Sequence, residues 1–217
     1  MIDIELKGET LTLLPERAAY WQREGALLIA DPHWGKAATF RAGGIPVPSG
    51  TTVEAIERLE RLVESTAAKR VIFLGDLLHA KPGRSIEMFS ALGEWRRSRS
   101  GVEVILVRGN HDRRAGDPPH DLRFACVDAP YAIPPFVFAH HPIADSSGYV
   151  IAGHVHPGIR LYGPARQRER LPCFVFGADI GILPAFGDFT GLGDIDPVEW
   201  ERIYAIAEDR VLLVTRS

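Results

Sequence analysis

Apolar residues recur along the chain in two rhythms. IDIEL (2–6) and TLTLL (10–14) alternate around Lys7-Gly8-Glu9 and predict an N-terminal hairpin. ALLIAD (26–31) is apolar without alternation until it ends in Asp31, the pattern of a strand buried on both faces. VIFLGD (71–76) behaves the same way and ends in Asp76, and VEVILVRGN (102–110) ends in Asn110. Between these runs the period changes. TTVEAIERLERLVESTAAKR (51–70) puts Val53, Ile56, Leu59, Leu62 and Val63 on one helical face, with Thr51 and Glu54 at capping-box spacing. SIEMFSALGEWRRSR (85–99) also reads as a helix, and the Gly/Pro-rich GGIPVPSG (43–50) as a long loop. Strand, helix, strand, helix, strand predicts right-handed crossovers and a parallel sheet.

The second half changes character. FACVDA, FVFAHH, YVIAGHVH, GIRLYG, PCFVFGADIGIL, RIYAIAE and RVLLVT are short strand-like runs broken by Gly or Pro, without a long helical pattern. The expectation is a second, mostly antiparallel sheet packed on the first, in one domain over residues 1–217. The 217-residue length and the 46% hydrophobic and 24% charged composition are ordinary for such a domain. The net charge of -3 excludes a surface that coats nucleic acid nonspecifically, so any such contact rests on local arginines. Cys126 and Cys173 are far apart, in no metal spacing, and are expected reduced in β-structure. MIDIELKGET carries no basic stretch followed by an apolar run, and no apolar run approaches membrane-spanning length; the expected location is the cytoplasm.

The histidines add chemistry to this frame. Seven of the eight lie at or just beyond the ends of apolar runs: His33, His79, His111, His140, His141, His154 and His156. Asp31, Asp76 and Asn110 share those ends. Sites in α/β sheets gather beyond the carboxyl ends of strands, and Asp31-x-His33 and His154-x-His156 aim paired side chains the same way. One such cluster is an ordinary polar turn; five with the same ligand chemistry point to a metal site. Imidazole, carboxylate and amide without thiolate suit Mn²⁺, Fe²⁺, Zn²⁺ or Ni²⁺. There are too many candidate ligands for one ion. Two ions roughly 3.5–4 Å apart, bridged by a carboxylate, would use them.

The ordered set Asp31-Pro32-His33, Gly75-Asp76-Leu77-Leu78-His79, Gly109-Asn110-His111-Asp112, His140-His141-Pro142 and Gly153-His154-Val155-His156 resembles the calcineurin-like metallophosphoesterase superfamily. The resemblance implies an αββα two-sheet sandwich. It implies Asp31, His33 and His156 on a first metal, Asp76 as bridge, and Asn110, His140 and His154 on a second. It also implies His111 at the scissile phosphate as proton donor, with Asp112 orienting it or steadying its turn. Adjacent residues at a strand end point apart, so one of His140 and His141 reaches the metals, and the His-x-Pro pattern favours His140. HWGKAATFRAGGIPVPSGTT, VRGNHDRRAGDPP, AGHVHPGIRL, RLPCF and LPAFGDFTG further resemble the bacterial ligase-associated DNA-damage-response endonucleases. That subfamily implies a Mn²⁺-dependent DNA phosphodiesterase that acts with an ATP-dependent DNA ligase and a helicase. Lys36, Arg41 and Arg113 are the candidate substrate-binding cations, holding backbone phosphates without reading sequence. Arg114 and the Arg166, Arg168, Arg170 group are further cations; Trp34 and Phe40 are candidates for base stacking or for anchoring a loop. The expected substrate is single-stranded or flapped DNA. The alternative is a phosphoesterase acting on nucleotides or other small phosphate esters.

Overall fold

The protein is described by a computed structural model covering residues 1–48, 50–162 and 168–215. The first sheet begins with β1 (Ile2–Leu6), β2 (Glu9–Leu14) and β3 (Ala18–Trp21). It continues through β4 (Ala26–Ile29), helices α1 (Lys36–Ala42) and α2 (Thr51–Thr66), β5 (Arg70–Leu74), α3 (Ile86–Ser98), β6 (Glu103–Val107), α4 (Asn110–Ala115) and β7 (Ala125–Val127). Its spatial order is sequential from β1 to β7. Strands β1 to β4 pair antiparallel and β4 to β7 parallel. The predicted hairpin is thus extended by β3, whose four residues are too short to show a period.

The second sheet contains β8 (Tyr131–Ile133), β9 (Phe136–Phe138), β10 (Tyr149–Ala152), β11 (Pro157–Tyr162), β12 (Arg168–Phe176), β13 (Ile180–Ile182), β14 (Gly193–Asp194), β15 (Arg202–Ala207) and β16 (Arg210–Leu213). It is largely antiparallel, but β10 runs parallel to both β9 and β13, and β11 to β14. FACVDA, expected here, instead forms β7 on the first sheet beside β6. A three-residue apolar run has no period with which to declare its partner. Among the described residues all four α-helices precede β7, and no helix is long and apolar enough to cross a membrane.

The alternation expected of doubly buried strands is visible in the packing. Leu28, Ile72, Leu74, Ile105 and Val107 face the second sheet and meet Phe136, Phe138, Ile151, Phe174 and Phe176. Their neighbours Leu27, Ile29, Val71, Phe73, Val104 and Leu106 face the helices and meet Ile56, Leu59, Leu62, Met88, Leu92 and Trp95. Trp21 stands edge-on to Phe136, centroids 4.9 Å apart, and ties the two sheets together. The Thr51–Glu54 capping box does not form. Gly50 takes the N-cap position with φ 91°, which places Thr51 inside α2. Ser85 does cap α3, its hydroxyl accepting from Met88 N at 3.2 Å. Cys126 and Cys173 are unpaired and lie in β7 and β12, as expected.

Candidate active site

The parallel strands of both sheets run out at one edge of the sandwich, and the candidate ligands follow their last residues. Asp31 and His33 follow β4, Asp76 follows β5, Asn110 and His111 open α4 after β6, His140 follows β9, and His154 and His156 follow β10. The sheets are joined there by a bridge between Ala30 and Ala185 and by Phe186 N donating to Ala30 O at 2.8 Å. Five of these residues hold left-handed backbone: Asp31 (φ 50°), His33 (47°), Asp76 (50°), His154 (68°) and His156 (51°). Non-glycine residues adopt it rarely, at about 1–3 kcal/mol each, so its concentration here marks a site for which the fold accepts strain. Crowding is equally local. A Cβ at Gly75 would overlap the His140 ring, and one at Gly109 would overlap the Asp76 carboxylate. Gly109 has φ -92°, so the close approach, and not a special turn, excludes a side chain.

Two groups of donors result. In the first, His33 Nε2 lies 3.3 Å from His156 Nε2, and His156 Nε2 lies 3.7 Å from Asp31 Oδ2. In the second, His140 Nε2 lies 2.9 Å from Asn110 Oδ1, 3.0 Å from His154 Nδ1 and 3.4 Å from Asp76 Oδ1. Asp76 reaches both groups, since its Oδ2 is 3.8 Å from His33 Nε2. Backbone carbonyls orient the rings. His140 Nδ1 donates to Leu74 O (3.1 Å) and His156 Nδ1 to Gly191 O (3.2 Å), which leaves each Nε2 as a lone-pair donor. Burial first, and neighbouring cationic groups second, lower the pKa of His33 to about 2. Burial likewise lowers that of His140 to about 4, with the nearby Asp31 opposing it. Both imidazoles are therefore neutral and ready to ligate at physiological pH. Burial raises the Asp76 pKa against the His111 amide that donates to it, and a cation between the groups would offset that cost.

A divalent metal pair fits these residues. Asp31 Oδ1 is buried without a hydrogen-bond partner among the described residues, with His140 Nδ1 3.4 Å away. Ring nitrogens of His33 and His156 lie 3.3 Å apart and those of His140 and His154 3.0 Å apart, close enough for each pair to share one cation. Asp31, His33 and His156 form one metal-competent group, and Asp31, Asp76 and His140 another.

His111 stands beside the groups. Its backbone N–H donates to Asp76 Oδ1 at 2.9 Å, its Nδ1 donates to His79 O at 2.7 Å, and its Nε2 lies 3.9 Å from Asp76 Oδ2. Of the two expected roles of Asp112, its contacts match the steadying of the turn. Asp112 is buried and accepts from Gly109 N (2.9 Å) and Leu78 N (3.0 Å), so it steadies the turn. Burial raises its pKa to about 6. Sequence reasoning gave His79 no role, although its place in GDLLH was visible. Its ring stacks on His111, centroids 4.8 Å apart, and its Nδ1 is 3.5 Å from His33 Nδ1. His140 is buried at Asn110, while His141 is exposed, its ring centroid 4.1 Å from that of His154.

The candidate substrate-binding cations separate. Lys36 is half-buried near His33 and His79, and its Nζ lies 5.8 Å from the Phe40 ring centroid. Arg41 is spent on Pro48 O (2.8 Å), and Arg113 on Asp128 (2.9 Å). Arg170 pairs with Asp194 (2.8 Å), and Arg166 lies outside the described residues. Trp34 is buried edge-on to Phe73 and anchors its loop, whereas Phe40 remains part-exposed beside His79.

Residues 26–171 match the calcineurin-like phosphoesterase family, and the chain belongs to it. Among solved structures, the crystal structure of the nuclease MPE from Pseudomonas putida is similar over 98% of this chain and 99% of its own, with 40% identity and a TM-score of 0.88. AQ665, a protein of unknown function from Aquifex aeolicus, shares 17% identity over 60% of this chain and 78% of its own, with a TM-score of 0.41. The E. coli phosphoesterase Yfce shares 15% identity over 85% of this chain and 88% of its own, with a TM-score of 0.39. No curated protein sequence matches.

Proposed function

We propose that the protein is a metal-dependent phosphodiesterase that cuts DNA as an endonuclease, single-stranded or flapped DNA in preference to intact duplex. The observation that carries this reading is the convergence of strand-end histidines and aspartates into metal-competent groups, in a chain 40% identical over 98% of its length to a nuclease. Asp31, His33 and His156 would hold one ion and Asn110, His140 and His154 another, with Asp76 between them; Mn²⁺ is the proposed native metal. When bound, such ions neutralise phosphate oxygens and lower the pKa of water.

The remaining chemistry belongs to the chain. With His111 Nδ1 donating to the His79 carbonyl, Nε2 carries a proton to the departing oxygen only from the doubly protonated imidazolium, which returns to the neutral Nδ1–H ring when that proton leaves. Asp112 keeps that imidazole in reach by holding Gly109 and Leu78. Lys36, at the edge of the first donor group, is the cation best placed for a substrate phosphate. A flexible strand bends its backbone into a recessed site at lower cost than a stiff duplex. We place this activity in cytoplasmic DNA repair, alongside an ATP-dependent ligase and a helicase. Circular single-stranded DNA, which has no ends, tests the reading. Linearisation with Mn²⁺ and its loss in EDTA are expected. An intact circle, with rapid hydrolysis of mononucleotide esters, would reject DNA as substrate in favour of small phosphate esters.

A further inference from the structure

Arg96 makes three hydrogen bonds at the far end of β6 from the histidine cluster. Its Nε donates to Leu122 O (2.9 Å), and its Nη1 donates to Arg99 O (3.0 Å) and Val102 O (3.1 Å). These carbonyls clamp a buried guanidinium between the end of α3 and the 3-10 turn His120–Leu122. No carboxylate among the described residues pairs with it, and Nη2 makes no hydrogen bond to them. Arg96 lines a cavity of about 230 Å³ with Arg97, Ser100, Asp121 and Arg123. That is several times the roughly 30 Å³ a water molecule occupies in the liquid.

The charge balance of this cavity is unusual for this surface. Arg70, Arg99, Arg108 and Arg160 each pair with an Asp or Glu within 3 Å. Arg97 and Arg123 are exposed and join no ion pair among the described residues, so three guanidinium groups face one carboxylate, Asp121. The charge of Arg123 adds to burial in lowering the pKa of Arg96. A bound anion would relieve that repulsion. Guanidinium forks match phosphate oxygens in geometry, and a guanidinium held in advance loses little freedom on binding.

We propose that this cavity is a second phosphate-binding site, held by Arg96 Nη2, Arg97 and Arg123, that takes inorganic phosphate or a backbone phosphate of a nucleic acid. The five residues of β6, about 17 Å of strand, separate it from the donor cluster, so it holds a phosphate other than the reacting one. The proposal rests on the cavity and not on the DNA reading.

The test compares the parent with the double variant Arg97→Ala/Arg123→Ala; Arg96 is kept because its carbonyl bonds fasten α3. Binding of inorganic phosphate by calorimetry and of a short single-stranded oligonucleotide by anisotropy are both measured in EDTA. The donor cluster is the same in both proteins, so the difference isolates the cavity. Binding is expected to weaken roughly tenfold or more, as the loss of two charge-assisted donors implies. Weakening for both probes assigns a general phosphate site, and weakening for the oligonucleotide alone assigns the nucleic-acid backbone. Unchanged binding of both, with an unchanged unfolding midpoint, overturns the proposal. Should the double variant unfold, Ser100→Glu, which places a carboxylate in the same lining, is held to the same readouts. Failure to cut circular DNA would remove the proposed function and leave this phosphate result standing.

Discussion

In the first sheet the candidate ligands follow β4, β5 and β6, three parallel neighbours under a layer of helices. In the second they follow β9 and β10, a parallel pair inside a sheet that is otherwise mainly antiparallel. Both halves thus use the same device, the carboxyl ends of adjacent parallel strands, in different surroundings. The halves also differ in what they supply. The first contributes the carboxylates Asp31 and Asp76, both almost wholly buried. The second contributes only imidazoles, of which His140 is buried while His154 and His156 reach the rim. The difference teaches that negative charge is placed only deep, where the rigid sheet and low dielectric make it count, with His33 and His140 buried beside it, while the donors at the rim, His154 and His156, are neutral in type.

The largest expected effect breaks the link between the halves. Asp76→Asn should abolish hydrolysis and remove at least one metal equivalent, because Asp76 touches both donor groups and an amide cannot match its charge. Elemental analysis decides, and two full equivalents in the variant would reject the bridging role.

His111→Ala should leave metal content near the parental value and lower DNA cleavage by about 10²–10⁴-fold, the usual range for a positioned acid. A p-nitrophenyl ester, whose leaving group needs no proton, should lose less. Equal losses on the two substrates would count against the proton-donor role.

Two histidines of the second half sharpen the contrast between depth and rim. His140→Ala should lower both metal affinity and the unfolding midpoint, since it empties a buried position bonded to Leu74. His156→Ala should lower metal affinity by roughly 10–100-fold or more and leave the midpoint nearly unchanged. Calorimetric metal titration with thermal unfolding separates the two outcomes.

Asp112→Ala leaves the Gly109 and Leu78 amides without their acceptor, at about 1–3 kcal/mol each, read from urea unfolding. Arg113→Ala should change least, within about 1 kcal/mol in stability, because Arg113 and Asp128 are both largely solvated. A large loss of DNA affinity in that variant would restore Arg113 as a substrate contact.

The helix-covered half was the more legible. Uninterrupted apolar runs such as ALLIAD and VIFLGD show buried strands directly, and the polar residues that end them stand out. The period of Ile56, Leu59, Leu62 and Val63 likewise marks α2, although Gly50 and not Thr51 begins it. The short strands carried less. AAYW and FACVDA do not reveal their partners, and the parallel direction of β9 and β10 cannot be read from three or four residues.

The sequence by itself determined the residue types at the strand ends, the presence of two sheets and the donor chemistry, because these depend on local period and on side-chain identity. Only the tertiary structure decided which donors meet. Asp76 reaches His33 and His140 from different sheets, Asp112 turns to Gly109 and Leu78, and His79 lends its carbonyl and ring to His111. Arg113 pairs with Asp128, while Arg97 and Arg123 come together from segments more than twenty residues apart to line one cavity. The physical reason is range. Burial patterns repeat along a few residues of chain, whereas the charge and hydrogen-bond partners of a side chain are set by whichever strand end or loop packing brings within a few ångströms of it.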